Sequence, residues 1–210
     1  MKRILIGFIM VLMGLLLMAP VASAYPVSAG DYIKITQGIG GSNGGGAFNI
    51  SKDNEILFDT FCVERNEYFS PGGTYYIGSI TDSAINGGLT GGNPDPLSSE
   101  SAYLYSRWAT EVIANTAENA NALQLAIWKH EGEWSSLLTG LALSFYQEAE
   151  SNNGSLYGVQ VINLYASKDS YDENNGWKQD QLVYNAVPEP TSMLLLGFGL
   201  LGLGLARRKS

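Results

Sequence analysis

The chain of 210 residues contains one cysteine and one histidine. A single cysteine cannot close an intramolecular disulfide, and one Cys with one His falls short of a structural zinc set. Basic residues are scarce as well: 12 Lys and Arg stand against 20 Asp and Glu, a formal charge of -8. Phosphate recognition needs a concentration of positive charge that this balance does not provide, so nucleic acid is excluded as a partner. Charged residues make up only 15% of the chain, whereas 45% is hydrophobic and 11% aromatic. That proportion opposes disorder, because enough apolar surface is present to offset the entropy of ordering a chain. No internal repeat is visible.

What is present begins at the two ends. Met1-Lys2-Arg3 is a short basic start, followed by an uncharged run from Ile4 to Ala19 and by Ala22-Ser23-Ala24. This order is that of a secretory signal with cleavage after Ala24, the alternative being an uncleaved N-terminal anchor. The other end runs Val187-Pro188-Glu189-Pro190, then an uncharged segment from Thr191 to Ala206, then Arg207-Arg208-Lys209. As a helix rising about 1.5 Å per residue, that segment reaches roughly 24 Å, a short span for a hydrocarbon core of about 30 Å. The terminal cations can snorkel, and their position favours a body facing outward.

Pro188, Glu189 and Pro190, the Leu/Gly-rich segment, and Arg207 with Arg208 together resemble the PEP-CTERM sorting signal of exopolysaccharide-producing Gram-negative bacteria. The resemblance implies recognition by an exosortase-type enzyme. It also implies a transient inner-membrane anchor through the C-terminal transmembrane segment and a final place outside the cell or on its surface, in a biofilm matrix. The chain therefore divides into a signal peptide (1–24), a body (25–187) and a sorting signal (188–210). The two ends hold five of the basic residues and one acid, which leaves a body with 7 basic and 19 acidic residues, a formal charge of -12.

Hydrophobic periodicity divides the body. Asp31 to Thr36 alternates, a glycine-rich loop covers Gly38 to Gly46, and an apolar strand is predicted from Ile56 to Glu64, with another from Thr74 to Ile80. After a second glycine-rich stretch the period changes. Asp95-Pro96 offers an N-cap and first helical residue ahead of Ala102, Tyr105, Trp108, Ala109 and Val112 at helical spacing. Asn115 and Glu118 stand as a capping box for a second helix reaching about Glu131, and Leu138 to Ala149 sets out a third. Strand signals resume over Tyr157 to Tyr165 and Gln181 to Ala186. The expected class is α+β, a β-sandwich or β-sheet body with an inserted helical subdomain.

Cys62 stands in Phe61-Cys62-Val63-Glu64, and Gln124 in Leu123-Gln124-Leu125-Ala126-Ile127-Trp128. In this pairing the sequence resembles the thioester domains of Gram-positive surface adhesins, with a cysteine among aromatic or aliphatic residues and a glutamine ahead of an apolar-x-x-apolar-Trp pattern. Leu123 departs from the threonine common at that place. The resemblance implies a Sγ–Cδ thioester between Cys62 and Gln124, opened once by an amine-bearing protein or polysaccharide, hence covalent adhesion without enzymatic turnover and without a cofactor. Such a bond has to be kept dry, and Phe61, Val63, Leu123, Ile127 and Trp128 are the apolar flanks expected around it. Helical geometry returns Trp128 and Glu131 to the face of Gln124 and carries His130 to about 240° away.

Other readings of the same residues stay open. Cys62 as a small buried hydrophobe beside an ordinary helical glutamine fits the high burial of free cysteine. A non-covalent matrix or glycan-binding module is the alternative function, and a Cys62/His130 hydrolase dyad the third. His130-Glu131-Gly132-Glu133 lacks the second histidine of a zincin, and the spacing of Asp169, Asp172 and Glu173 does not fit an EF-hand, so no metal is expected.

Overall fold

The computed structural model describes residues 25–41 and 45–185. Residues 25–185 form one compact unit, and the segments expected to be a signal peptide (1–24) and a sorting signal (188–210) lie outside the described residues. In chain order the elements are β1 (Tyr32–Gln37), β2 (Phe48–Lys52), β3 (Glu55–Thr60), β4 (Thr74–Thr81), β5 (Ser83–Ala84) and β6 (Asp95–Pro96). Three helices follow, α1 (Ser99–Ala109), α2 (Ala117–His130) and α3 (Gly140–Glu150), and then β7 (Val159–Tyr165), α4 (Lys168–Asp172) and β8 (Trp177–Tyr184). The class is α+β. The body is an antiparallel sheet of order β3-β2-β1-β4-β7-β8, with β5 and β6 forming a small second pair and α1 to α3 inserted between β6 and β7.

Local chemistry explains most of these elements. In β1, Ile33 and Ile35 are buried while Tyr32 and Lys34 face out, the period-2 pattern of a sheet with one covered face. β2 and β3 are joined through Asp53 and Asn54, both with positive φ, as a two-residue hairpin of primed type requires. The first helix starts later than the sequence predicts. Asp95-Pro96 pairs with β5 instead, and Ser98 is the N-cap, its hydroxyl accepting from the Ser101 N–H at 3.1 Å. Val112, expected on the buried face, is exposed beyond the end of α1. Thr116, not Asn115, caps α2 by accepting the Asn119 N–H.

The predicted strand from Ile56 to Glu64 breaks in two. β3 leaves its partner β2 after Thr60, and the chain then pairs with β8 at the opposite edge of the sheet. Leu182 N–H donates to the Phe61 carbonyl and Val63 N–H to the Asp180 carbonyl, both at 3.1 Å, with Cys62 facing Gln181 between them. The segment around Cys62 thus joins the two edges of the sheet, satisfying edge groups that would otherwise be left unpaired. Alternation then sorts its side chains. Phe61 and Val63 enter the core under the helices, with Leu104, Tyr105, Leu123, Ile127 and Leu182. Cys62 faces the other core, with Ile33, Ile35, Ile50, Ile77 and Trp128.

Candidate functional site

The geometry of the Cys62 pair determines what its backbone can do. In an antiparallel ladder, residues opposite each other exchange two hydrogen bonds or none. The bonds made by Phe61 and Val63 put Cys62 and Gln181 at a pair that exchanges none, so the Cys62 N–H and C=O point away from β8. β2 has already ended on that side. The Gln124 carboxamide of α2 takes the vacant place: the Cys62 N–H donates to Gln124 Oε1 at 3.1 Å, and Gln124 Nε2 donates to the Cys62 carbonyl at 2.9 Å. Two residues 62 positions apart in sequence are held together at two points, Cys62 fully buried and Gln124 1% exposed.

The surroundings keep this pair dry. Trp128, one turn beyond Gln124, is 1% exposed and stacks near-parallel with Trp134, over whose ring the Arg65 guanidinium lies at 4.6 Å. From the other side the backbone of Gly45 covers the carboxamide. A Cβ there would lie 2.5 Å from Gln124 Cγ and 2.7 Å from Trp128 Cη2, so only glycine permits the approach. Gly41 N–H donates to the Asn121 side chain at 2.8 Å and fastens the glycine-rich loop to α2. A cavity of about 550 Å³ adjoins the site, with Gly45, Trp128, Phe48, Tyr68, Arg65 and Gln179 among its walls.

The predicted apolar flanks separate into two groups. Trp128 shares a core with Cys62, whereas Phe61, Val63, Leu123 and Ile127 are fully or almost fully buried on the helix side of the sheet and back the site from behind. Glu131 does not reach the pair. It is the C-cap of α2, two turns beyond Gln124 and so about 10 Å further along the helix axis. Its carboxylate accepts from the Ser98 hydroxyl at 2.5 Å and the Ser98 N–H at 3.3 Å, fixing the start of α1. Burial pushes its pKa up to about 7, against the hydrogen bonds that favour the charged form. His130 stacks on Tyr146 with ring centroids 4.2 Å apart, and burial lowers its pKa.

Gln181 escaped the sequence reading, in which it was only the start of a strand. Its side chain is buried against Cys62, with Nε2 3.6 Å and Oε1 4.0 Å from Sγ. Burial pushes the Cys62 thiol far up, opposed by the Gln181 hydrogen bond and reinforced by the charge of Glu64. A second unread feature is a set of buried acids. Glu64 accepts from the Asp180 N–H at 2.9 Å, Asp180 from the Ile85 and Leu164 N–H groups, and Glu133 from those of Arg65 and Leu89. Burial raises the pKa of both Glu64 and Asp180, and their mutual proximity raises that of Glu64 further. These carboxyls anchor backbone, and among the described residues no three Asp, Glu, Cys or His are arranged to hold a metal ion. Of the acids considered for calcium, Asp172 is paired with Lys168 within α4.

Fold and site together describe an α+β body with one buried cysteine whose backbone N–H and C=O are held by the buried carboxamide of Gln124. Residues 186–209 match the family model of the PEP-CTERM protein-sorting motif. The match implies an exported protein recognised by an exosortase, with a C-terminal tail that is removed. No curated protein and no solved structure matches the chain. Among the described residues no helix is long and apolar enough to cross a membrane, and the segment read as a short transmembrane span lies outside them.

Proposed function

We propose that the exported body is a single-use covalent binder in which Cys62 and Gln124 form an internal thioester that an amine on an extracellular partner opens. The observation that carries this reading is the two-point hydrogen bonding of the Gln124 carboxamide to Cys62 in a dry site. In forming the bond, Sγ attacks Cδ of Gln124, the Cδ–Nε2 bond breaks, and the thiol proton leaves with the amide nitrogen as ammonia. The Cys62 N–H already bonded to Oε1 would hold the negative charge that develops there, as in other acyl transfers. The product is neutral and removes a thiol whose charged form burial strongly disfavours. On opening, the amine nitrogen bonds to Cδ, the C–S bond breaks, and a proton from the amine returns to sulfur. Each molecule reacts once, so the protein is an adhesin and not a turnover enzyme.

The test is amine capture. Methylamine should add to Gln124 in peptide maps while a free Cys62 thiol appears, and the Cys62→Ala protein should take up none. Absence of the adduct, with sugar binding retained by Cys62→Ala, would favour a non-covalent matrix module in its place.

A further inference from the structure

We infer that Gln181 is the donor that stabilises the Cys62 thiolate when the thioester forms and when it opens, an assignment that rests on the thioester reading and deepens it. The orientation of the Gln181 amide is not arbitrary. Its Nε2 also lies 3.1 Å from the Gln179 carbonyl oxygen, a group that can only accept. The nitrogen end must therefore face that carbonyl, and the same nitrogen is the nearer atom to Sγ, at 3.6 Å. The side chain is fully buried, and β8 holds it directly opposite Cys62.

A donor in this place acts differently on the three states of the sulfur. A thiolate is a strong acceptor, a thiol a weak one, and the sulfur of a thioester, its lone pair delocalised towards the carbonyl, weaker still. The N–H therefore gains most as negative charge gathers on Sγ, which happens when the thiolate attacks Cδ of Gln124 and again when the C–S bond breaks under attack by the amine. That is stabilisation of the transition state above the resting acyl state. No other hydrogen-bond donor to Sγ is found among the described residues.

Two variants of the full chain test it. Methylamine opening should be roughly tenfold slower in Gln181→Leu at every pH, the loss expected for one hydrogen bond to a charged group. Gln181→Glu keeps the shape and supplies a donor only while protonated. Its rate should lie near wild type at low pH and fall progressively behind as pH rises, a dependence that a packing role would not produce. A Gln181→Leu protein opening at the wild-type rate, a Gln181→Glu deficit constant with pH, or a peptide map joining Sγ to residue 181 would each overturn the assignment. If the wild-type chain shows no thioester at all, the covalent reading fails by itself, and the Gln181 assignment is then judged on the thiol. In a Gln124→Ala background, Gln181→Leu should move the pH profile of Cys62 alkylation to higher pH, and an unmoved profile would refute it.

Discussion

Replacing Gln124 by glutamate changes one group and probes the hinge of the whole site. Cys62→Ala is the proper background, because it removes the thioester chemistry while leaving the backbone N–H and C=O that Gln124 binds. Gln124 Nε2 donates to the Cys62 carbonyl at 2.9 Å, so an ionised glutamate would set a second acceptor against that oxygen, both buried. Losing the bond and leaving a buried carbonyl unpaired costs about 1–3 kcal/mol. Protonated glutamate restores a donor, so the folded-state pKa at position 124 must rise, by about one unit for each 1.4 kcal/mol. With a raised folded pKa, the folded state binds the extra proton, and stability is lost as pH rises from the unfolded value of about 4.3 through the folded one. Urea unfolding of Cys62→Ala and Cys62→Ala/Gln124→Glu should therefore give similar midpoints below about pH 3.5, where both forms of residue 124 are neutral. Near about pH 8 the midpoints should differ by roughly 1 M. Equal midpoints at both pH values would refute the two-point hydrogen bonding. The same carboxylate is what hydrolysis of the thioester would leave, so a spent, hydrolysed molecule should be less stable than an unreacted one.

Gly45→Ala places a methyl 2.5 Å from Gln124 Cγ and 2.7 Å from Trp128 Cη2. It should cost about 1–3 kcal/mol in urea unfolding and reduce methylamine capture, whereas full capture at wild-type stability would show that the loop does not cover the site. Glu131, Glu64 and Asp180 all have folded pKa values raised by burial, so the folded body binds more protons than the unfolded chain and should lose stability between about pH 4.3 and pH 7. Glu131→Gln should flatten that fall, measured by urea midpoints across the window. Ser98→Ala removes the N-cap of α1 and the hydroxyl contact with Glu131 together, and should destabilise by at least about 1–2 kcal/mol without changing the rate of amine capture.

Much of this architecture was legible in residue order. Ile33 and Ile35 marked β1 by alternation, the period change after the second glycine-rich stretch marked the helical insertion, and Trp108 at helical spacing proved a core residue. The pairing of Cys62 with Gln124 rested on resemblance, since periodicity contains no distances, and the structure brings the two into contact. What escaped had physical reasons. A continuous apolar run from Ile56 to Glu64 does not disclose that its partner strand changes after Thr60, because pairing is a long-range property. Glu131 shares the helix face of Gln124 in projection, but a face says nothing of distance along the axis, and two turns put its carboxylate on Ser98 instead. Gly45 lies within a loop marked only by its glycine content, while its function is close approach to Gln124. Gln181 had no motif around it; only the strand opposite Cys62 gives it meaning.

The intact mass of a purified fragment spanning residues 25–187 reads the proposed Cys62–Gln124 bond most directly. With the thioester in place the mass should be lower than that of the sequence by one ammonia, and the deficit should be abolished by Cys62→Ala and by Gln124→Ala alike. A mass equal to that of the sequence, with a titratable Cys62 thiol and glutamine still present at position 124, would contradict it.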